Sequence, residues 1–131
     1  MPSVKPPVSI VYLARAAEGL EVIENFRQSY VDHPAGIEHD LVVCLKGDDD
    51  GELQQVRTML EPIATRFVAQ KDIGYDLHAY LRTARTVETE WISCINTFSV
   101  INKTGWLEYL YRAACRPNAG LVGATASYES R

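Results

Sequence analysis

Val8-Ser9-Ile10-Val11-Tyr12-Leu13-Ala14 is followed by Leu20, Ile23, Phe26, Tyr30 and Val31 at helical spacing, and this pair of patterns sets the fold. The first run is apolar and β-branched with almost no polar alternation, which predicts a strand buried on both faces. The second is one apolar stripe of an amphipathic helix, ended by His33-Pro34-Ala35-Gly36. Leu41-Val42-Val43-Cys44-Leu45 then repeats the buried-strand pattern. A strand, a helix and a second buried strand form a βαβ unit, which requires a parallel sheet covered on its faces.

The same alternation continues along the chain. Asp48-Asp49-Asp50-Gly51 reads as a turn, and Asp49 with Glu52 three residues later has the form of a capping box opening a helix. Leu53, Val56, Leu60 and Ile63 form that helix's apolar face. Arg66-Phe67-Val68-Ala69-Gln70 is a third strand, and Leu77, Leu81 and Ala84 mark a third helix. Trp91-Ile92-Ser93-Cys94-Ile95 is a fourth strand. A fourth helix carries Trp106, Leu107, Leu110, Tyr111 and Ala114 and stops at Arg116-Pro117-Asn118. Gly120-Leu121-Val122-Gly123-Ala124 is expected to be a fifth strand. The predicted fold is an α/β three-layer sandwich with a mainly parallel five-stranded sheet. It forms one domain over 8–131, after an extended lead-in over 1–7.

Right-handed crossovers place every strand-to-helix loop on one edge of such a sheet, and ligands bind there, outside the carboxyl ends of the strands. That confines candidate function to Ala14–Gly19, Lys46–Asp50, Lys71–Asp76 and Asn96–Lys103.

Composition removes several classes. The 131 residues are 47% hydrophobic and 23% charged, with a formal net charge of −4, so no basic stripe exists to neutralise nucleic-acid phosphates. Apolar runs reach about 5–8 residues, against the roughly 18–20 that span a bilayer. Met1-Pro2-Ser3-Val4-Lys5-Pro6-Pro7 lacks the apolar core of a secretory leader, and the expected location is cytoplasmic. Cys44, Cys94 and Cys115 are odd in number, far apart and free of a C-x-x-C, and the first two lie in apolar strands. They read as buried free thiols. His33, His39 and His78 show no metal-ligand spacing to one another or to the cysteines.

Commoner α/β chemistries fail on their residues. A bacterial receiver domain needs two acids after the first strand to hold a metal, where this chain has Leu13-Ala14-Arg15. No G-x-x-x-x-G-K-[ST], G-x-G-x-x-G or G-x-S-x-G occurs, which excludes the P-loop, the dinucleotide fingerprint and the hydrolase elbow. The acids of Asp48-Asp49-Asp50 are consecutive, whereas a calcium loop spaces them at alternate positions.

Two further stretches are informative: Asp72-Ile73-Gly74-Tyr75-Asp76-Leu77-His78-Ala79-Tyr80, and Trp91 through Asn96-Thr97-Phe98-Ser99. Together they resemble the centre of family-2-like glycosyltransferases of the GT-A fold, most closely the rhamnan-synthesis F type. Those carry a glycine-led G-Y-D helix followed by a strand that ends in a polar signature. Gly105-Trp106-Leu107 and Gly120-Leu121-Val122-Gly123-Ala124 look like the same family's next helix and strand, so the likeness runs from Val8 to Ser130.

The resemblance implies a donor-binding portion that takes a nucleotide-diphosphate sugar for cell-surface polysaccharide synthesis. Carried over by position, the substrate-binding residues are Ala14 and Arg15 after the first strand and Lys46 and Asp48 after the second. Asp72, Gly74, Tyr75 and Asp76 lead the third helix, and Asn96, Thr97 and Ser99 follow the fourth strand. Gly74 would let the backbone approach the ligand, and Asp76 would either cap the helix or reach the ligand.

Two departures from the family pattern stand out. GT-A enzymes place a D-x-D after the fourth strand to hold Mg²⁺ or Mn²⁺ on the diphosphate, but here the position reads Asn96-Thr97-Phe98-Ser99, without a carboxylate. The family also needs a second half with an acceptor site and a general base, and Glu129 is the last carboxylate before Arg131. No catalytic residue is therefore assigned. The alternative expectation is a non-catalytic GT-A-like module for assembly or regulation. An uncovered sheet edge or face would favour self-association or a partner at the membrane surface or in polysaccharide synthesis.

Overall fold

The computed structural model describes residues 5–123. Strands β1 (Val8–Arg15), β2 (His39–Lys46), β3 (Arg66–Gln70) and β4 (Trp91–Ile95) alternate with helices α1 (Leu20–Asp32), α2 (Asp50–Leu60), α3 (Asp76–Ala84) and α4 (Trp106–Ala114). A 3-10 turn, Ala16–Glu18, joins β1 to α1. All pairings are parallel and the strand order is β3-β2-β1-β4. The chain therefore steps outward from β1 to β3 and then crosses back to lay β4 on the other side of β1. The point where the order reverses, between β1 and β4, is the switch point of the sheet.

The two sheet faces are unequal. On one, Ile10, Tyr12, Leu41 and Val43 meet Ile23, Phe26, Val56, Leu60 and Leu107 in a single buried cluster. Each such side chain contributes about 1.5–3 kcal/mol on burial, so this face carries most of the stability. On the other face the buried cluster among the described residues is smaller, Leu13, Cys44 and Ala79 under α3 with Tyr80 at the margin.

Local signals explain the element ends. Asp49 caps α2 by accepting from the Glu52 N–H at 2.9 Å, the cap that the acid run predicts. α4 is seated by the loop after α1: the Gly105 N–H donates to the Pro34 carbonyl at 2.7 Å and the Glu108 N–H to the Ala35 carbonyl at 3.1 Å. Gly36, in that loop, has φ +85°, and a Cβ there would stand 3.0 Å from the Gly105 Cα. Backbone conformation and close approach both demand glycine at this point.

Three expectations are corrected. α3 forms where its pattern places it, but Leu77 and Leu81 are 67% and 54% exposed, while Ala79 and Thr83 are buried. The small residues let the helix lie close on the sheet, and Gln70 of β3 reaches its Ala79 carbonyl and Thr83 hydroxyl at 3.3 and 3.2 Å. Cys94 is exposed rather than buried, because the β4 end of that sheet face is thinly covered; Cys44 is buried and Cys115 exposed. Among the described residues the sheet has four strands, and 120–123 form neither helix nor strand. Ala124, the last position of the expected fifth strand, lies outside the described residues, as does Glu129. A cleft of about 540 Å³ is lined by β4, α4 and Gly120–Gly123. Among the described residues no helix is long and apolar enough to cross a membrane.

Candidate functional site

The strand register sets the site. Arg15 of β1 pairs with Lys46 of β2, which pairs with Gln70 of β3, so these three side chains close the carboxyl edge of the sheet in one row. Alternation along each strand puts Leu13, Cys44, Arg15 and Lys46 on the face that α3 covers.

Arg15 ties two loops together. Its Nε donates to both carboxylate oxygens of Asp72, at 3.0 and 3.2 Å, and its Nη1 donates to Glu18 at 2.8 Å. The Asp72 N–H in turn donates to Asp48 Oδ1 at 3.0 Å. The loops after β1, β2 and β3 thus share one chain of charge-assisted bonds. The Arg15 and Asp72 side chains are 40% and 17% exposed. As a partly exposed pair they position loops more than they stabilise the fold.

Lys46 is only 2% exposed although it ends a strand. Its Nζ donates to the Gly74 carbonyl at 3.0 Å. Gly74 has φ +78°, while a Cβ there would meet only ordinary contacts with His78 at 3.5 Å. The glycine serves the left-handed backbone of the turn rather than close approach to a neighbour. Tyr75, 87% exposed, is the N-cap of α3 and makes no side-chain cap bond. Asp76 is the first residue of the helix and exposed, so the expected carboxylate cap does not form.

Across β1, the switch point is closed by Thr97. Its hydroxyl donates to the Leu13 carbonyl at 2.6 Å and accepts from the Arg15 N–H at 3.2 Å. Its own carbonyl accepts from the Tyr12 hydroxyl at 2.8 Å. Thr97 is 4% exposed, so this expected ligand contact is a buried clasp between β1 and the loop after β4. Ala14 is fully buried in the main core and offers a ligand main chain only. Asn96 and Ser99 bond each other, Ser99 Oγ donating to Asn96 Oδ1 at 2.9 Å.

The sequence-derived residues thus divide into two groups. Arg15, Asp72 and Asp48 are joined by direct bonds, and Lys46 bonds Gly74, two residues past Asp72, from which Tyr75 and Asp76 continue into α3. Asn96 and Ser99 bond each other in the turn after β4, and Thr97 clasps that turn to Tyr12, Leu13 and Arg15 of β1. Glu18 and Tyr12 belong to these networks and are not among the sequence candidates. Glu18 stands three residues after Arg15, a spacing that could have suggested the pair.

Titration behaviour favours neutral phenols and an inert thiol. Burial, with a smaller push from Tyr80, raises the Tyr12 phenol well above its ordinary range, which keeps it a donor to Thr97. Burial raises Tyr80 likewise, with Asp76, Cys94 and Cys44 adding to it. Burial also pushes the Cys44 thiol up, against the lowering effects of the Thr83 side chain, Lys46 and Arg82. A thiol in that state is a poor nucleophile.

The residues after β4 do not fit a divalent cation. The Thr97 hydroxyl is spent on main chain, Asn96 Oδ1 is occupied by Ser99, and no carboxylate stands in Asn96–Ser99. Among the described residues no three His, Cys, Asp or Glu side chains gather as a metal site. No protein-family model matches the chain, and no curated protein matches it either.

Proposed function

We propose that the chain is a GT-A-like donor-binding module that takes a nucleoside diphosphate, or its sugar, at the carboxyl edge of β1, β2 and β3. The observation that carries this reading is the chain of direct bonds Arg15–Asp72–Asp48 along this edge, with Lys46, the register partner of Arg15, bonded to the Gly74 carbonyl two residues past Asp72. Open parallel α/β sheets bind ligands outside the carboxyl ends of their strands. Carboxylates such as Asp48 suit base N–H groups and ribose hydroxyls, and lysine suits phosphate oxygens. The likeness of the Gly74-Tyr75-Asp76 element to glycosyltransferases supplies the sugar nucleotide as ligand class and polysaccharide synthesis as context.

Calorimetric titration of the full chain with UDP and GDP tests the reading. Saturable binding is expected, together with a rise in Tm, since a ligand at about 100 times its Kd adds about 2.7 kcal/mol to folding stability. Asp48→Ala is expected to weaken binding at least tenfold. No heat and no Tm shift with either nucleotide at millimolar concentration removes the proposal.

A second reading, a non-catalytic module for assembly or regulation, is favoured by exposed apolar side chains on α3, in the loop before it and after β4. Ile73, Leu77, Leu81 and Phe98 are all more than half exposed, and among the described residues β4 has a strand partner on one side only. Such surfaces mark association sites. Sedimentation equilibrium is expected to show a concentration-dependent dimer that Leu77→Glu with Leu81→Glu abolishes. A monomer at all concentrations sets that reading aside.

A further inference from the structure

We infer that the start of α3, together with Lys46, is the anion subsite of this edge, and that it takes the diphosphate without a metal. This inference rests on the donor-binding reading for the identity of the ligand, but its geometry stands apart from it.

Lys46 has 2% of its surface exposed. Among the described residues its side chain makes one hydrogen bond, to the neutral carbonyl of Gly74, and no carboxylate of those residues lies within ion-pair distance of it. A buried cation without an anionic partner is costly, and proteins ordinarily pair such groups. The carbonyl that covers it belongs to the turn leading straight into α3, a nine-residue helix. That helix starts without a side-chain cap. The first bonds back to Tyr75 are made by the His78 and Ala79 N–H groups, at 3.0 and 3.3 Å. The N–H groups of Asp76 and Leu77 are left for an outside acceptor.

An uncapped helix start carries a partial positive charge and free N–H donors, both of which favour phosphate. Lys46 adds a full positive charge on the adjoining strand. Gly74, already at φ +78°, is the residue best able to turn its carbonyl away from Lys46 when a phosphate oxygen takes its place. Asp76 opposes this: its carboxylate stands on the first helical residue and repels an anion. The subsite is also on the β2–β3 side of β1, away from Asn96–Ser99 where a metal would be sought.

The test compares ligands with and without phosphate. UDP, uridine and inorganic pyrophosphate are titrated into the full chain and into Lys46→Met, Lys46→Arg and Asp76→Asn, with and without EDTA. Lys46→Met keeps the buried stem, and water can satisfy the exposed Gly74 carbonyl, so the fold is expected to survive. Circular dichroism checks this, and Asp76→Asn, at an exposed position, provides a second variant with no buried group removed.

In Lys46→Met the affinity for UDP and for pyrophosphate is expected to fall at least tenfold while that for uridine stays within twofold. Lys46→Arg should restore most of the loss. Asp76→Asn should tighten pyrophosphate severalfold, and EDTA should change nothing. Equal losses for UDP and uridine, or no loss for pyrophosphate, overturn the subsite. So does a requirement for metal. If no nucleoside or nucleotide binds at all, the donor-binding reading fails by itself, and Lys46-dependent binding of pyrophosphate still decides the subsite.

Discussion

Phe26→Ala is expected to lower the unfolding free energy by about 3–5 kcal/mol, the range for removing a large aromatic from a core. Phe26 is fully buried on α1. Its ring stacks on Tyr12 of β1 with centroids 3.7 Å apart and planes within 8°, and it meets Tyr30 at 6.0 Å. The loss would take at least about a fifth of the 5–15 kcal/mol typical of a domain. Urea denaturation followed by circular dichroism measures it, and Phe26→Leu should lose much less because most of the volume stays. A loss below about 1 kcal/mol for the alanine variant would mean that this face is not the principal core. The consequence reaches the ligand edge, since Tyr12, once unsupported, also holds the Thr97 carbonyl.

How far such relationships can be read from sequence depends on what sets them. The β1–α1–β2 unit was legible because the Val8–Ala14 and Leu41–Leu45 runs are apolar on both faces, and only a covered parallel sheet satisfies them. The Asp49 cap was legible because it is local chemistry. α3 was legible as a helix but not in its orientation. Leu77 and Leu81 form the obvious stripe, yet Ala79 and Thr83 face the sheet, because the choice between faces was made by the bonds from Gln70 and by the space under the helix. Periodicity carries no information about either.

The ligand edge divides in the same way. Topology brings Arg15, Lys46 and Asp72 together, and the order of strands and loops in the sequence suffices to predict that. It gives no sign that Lys46 is buried while Arg15 stays at the surface, as register and the covering Gly74 turn dictate. Thr97 was legible as polar and near the edge, but not as a clasp. Its partners are main-chain groups of Leu13 and Arg15, more than eighty residues earlier.

That clasp gives the second large effect. Thr97→Val keeps the shape of the side chain and removes only the hydroxyl. The Leu13 carbonyl then loses its donor and the Arg15 N–H its acceptor, in a place 4% exposed where water has little access. An unmet main-chain group in the interior costs about 1–3 kcal/mol, so a combined loss of about 2–4 kcal/mol is expected. Thr97→Ser retains the oxygen and should stay within about 1 kcal/mol of the parent, the loss of one methyl. Urea melts of the two variants provide the comparison, and equal stability of the valine and serine forms would show that the two bonds contribute nothing. The direction matters for the ligand edge as well. The Arg15 main chain is held by Thr97 on one side while its guanidinium holds Asp72 on the other. Loosening the first should therefore weaken nucleotide binding by a site that no ligand touches, and the nucleotide Kd of Thr97→Val should rise while that of Thr97→Ser does not.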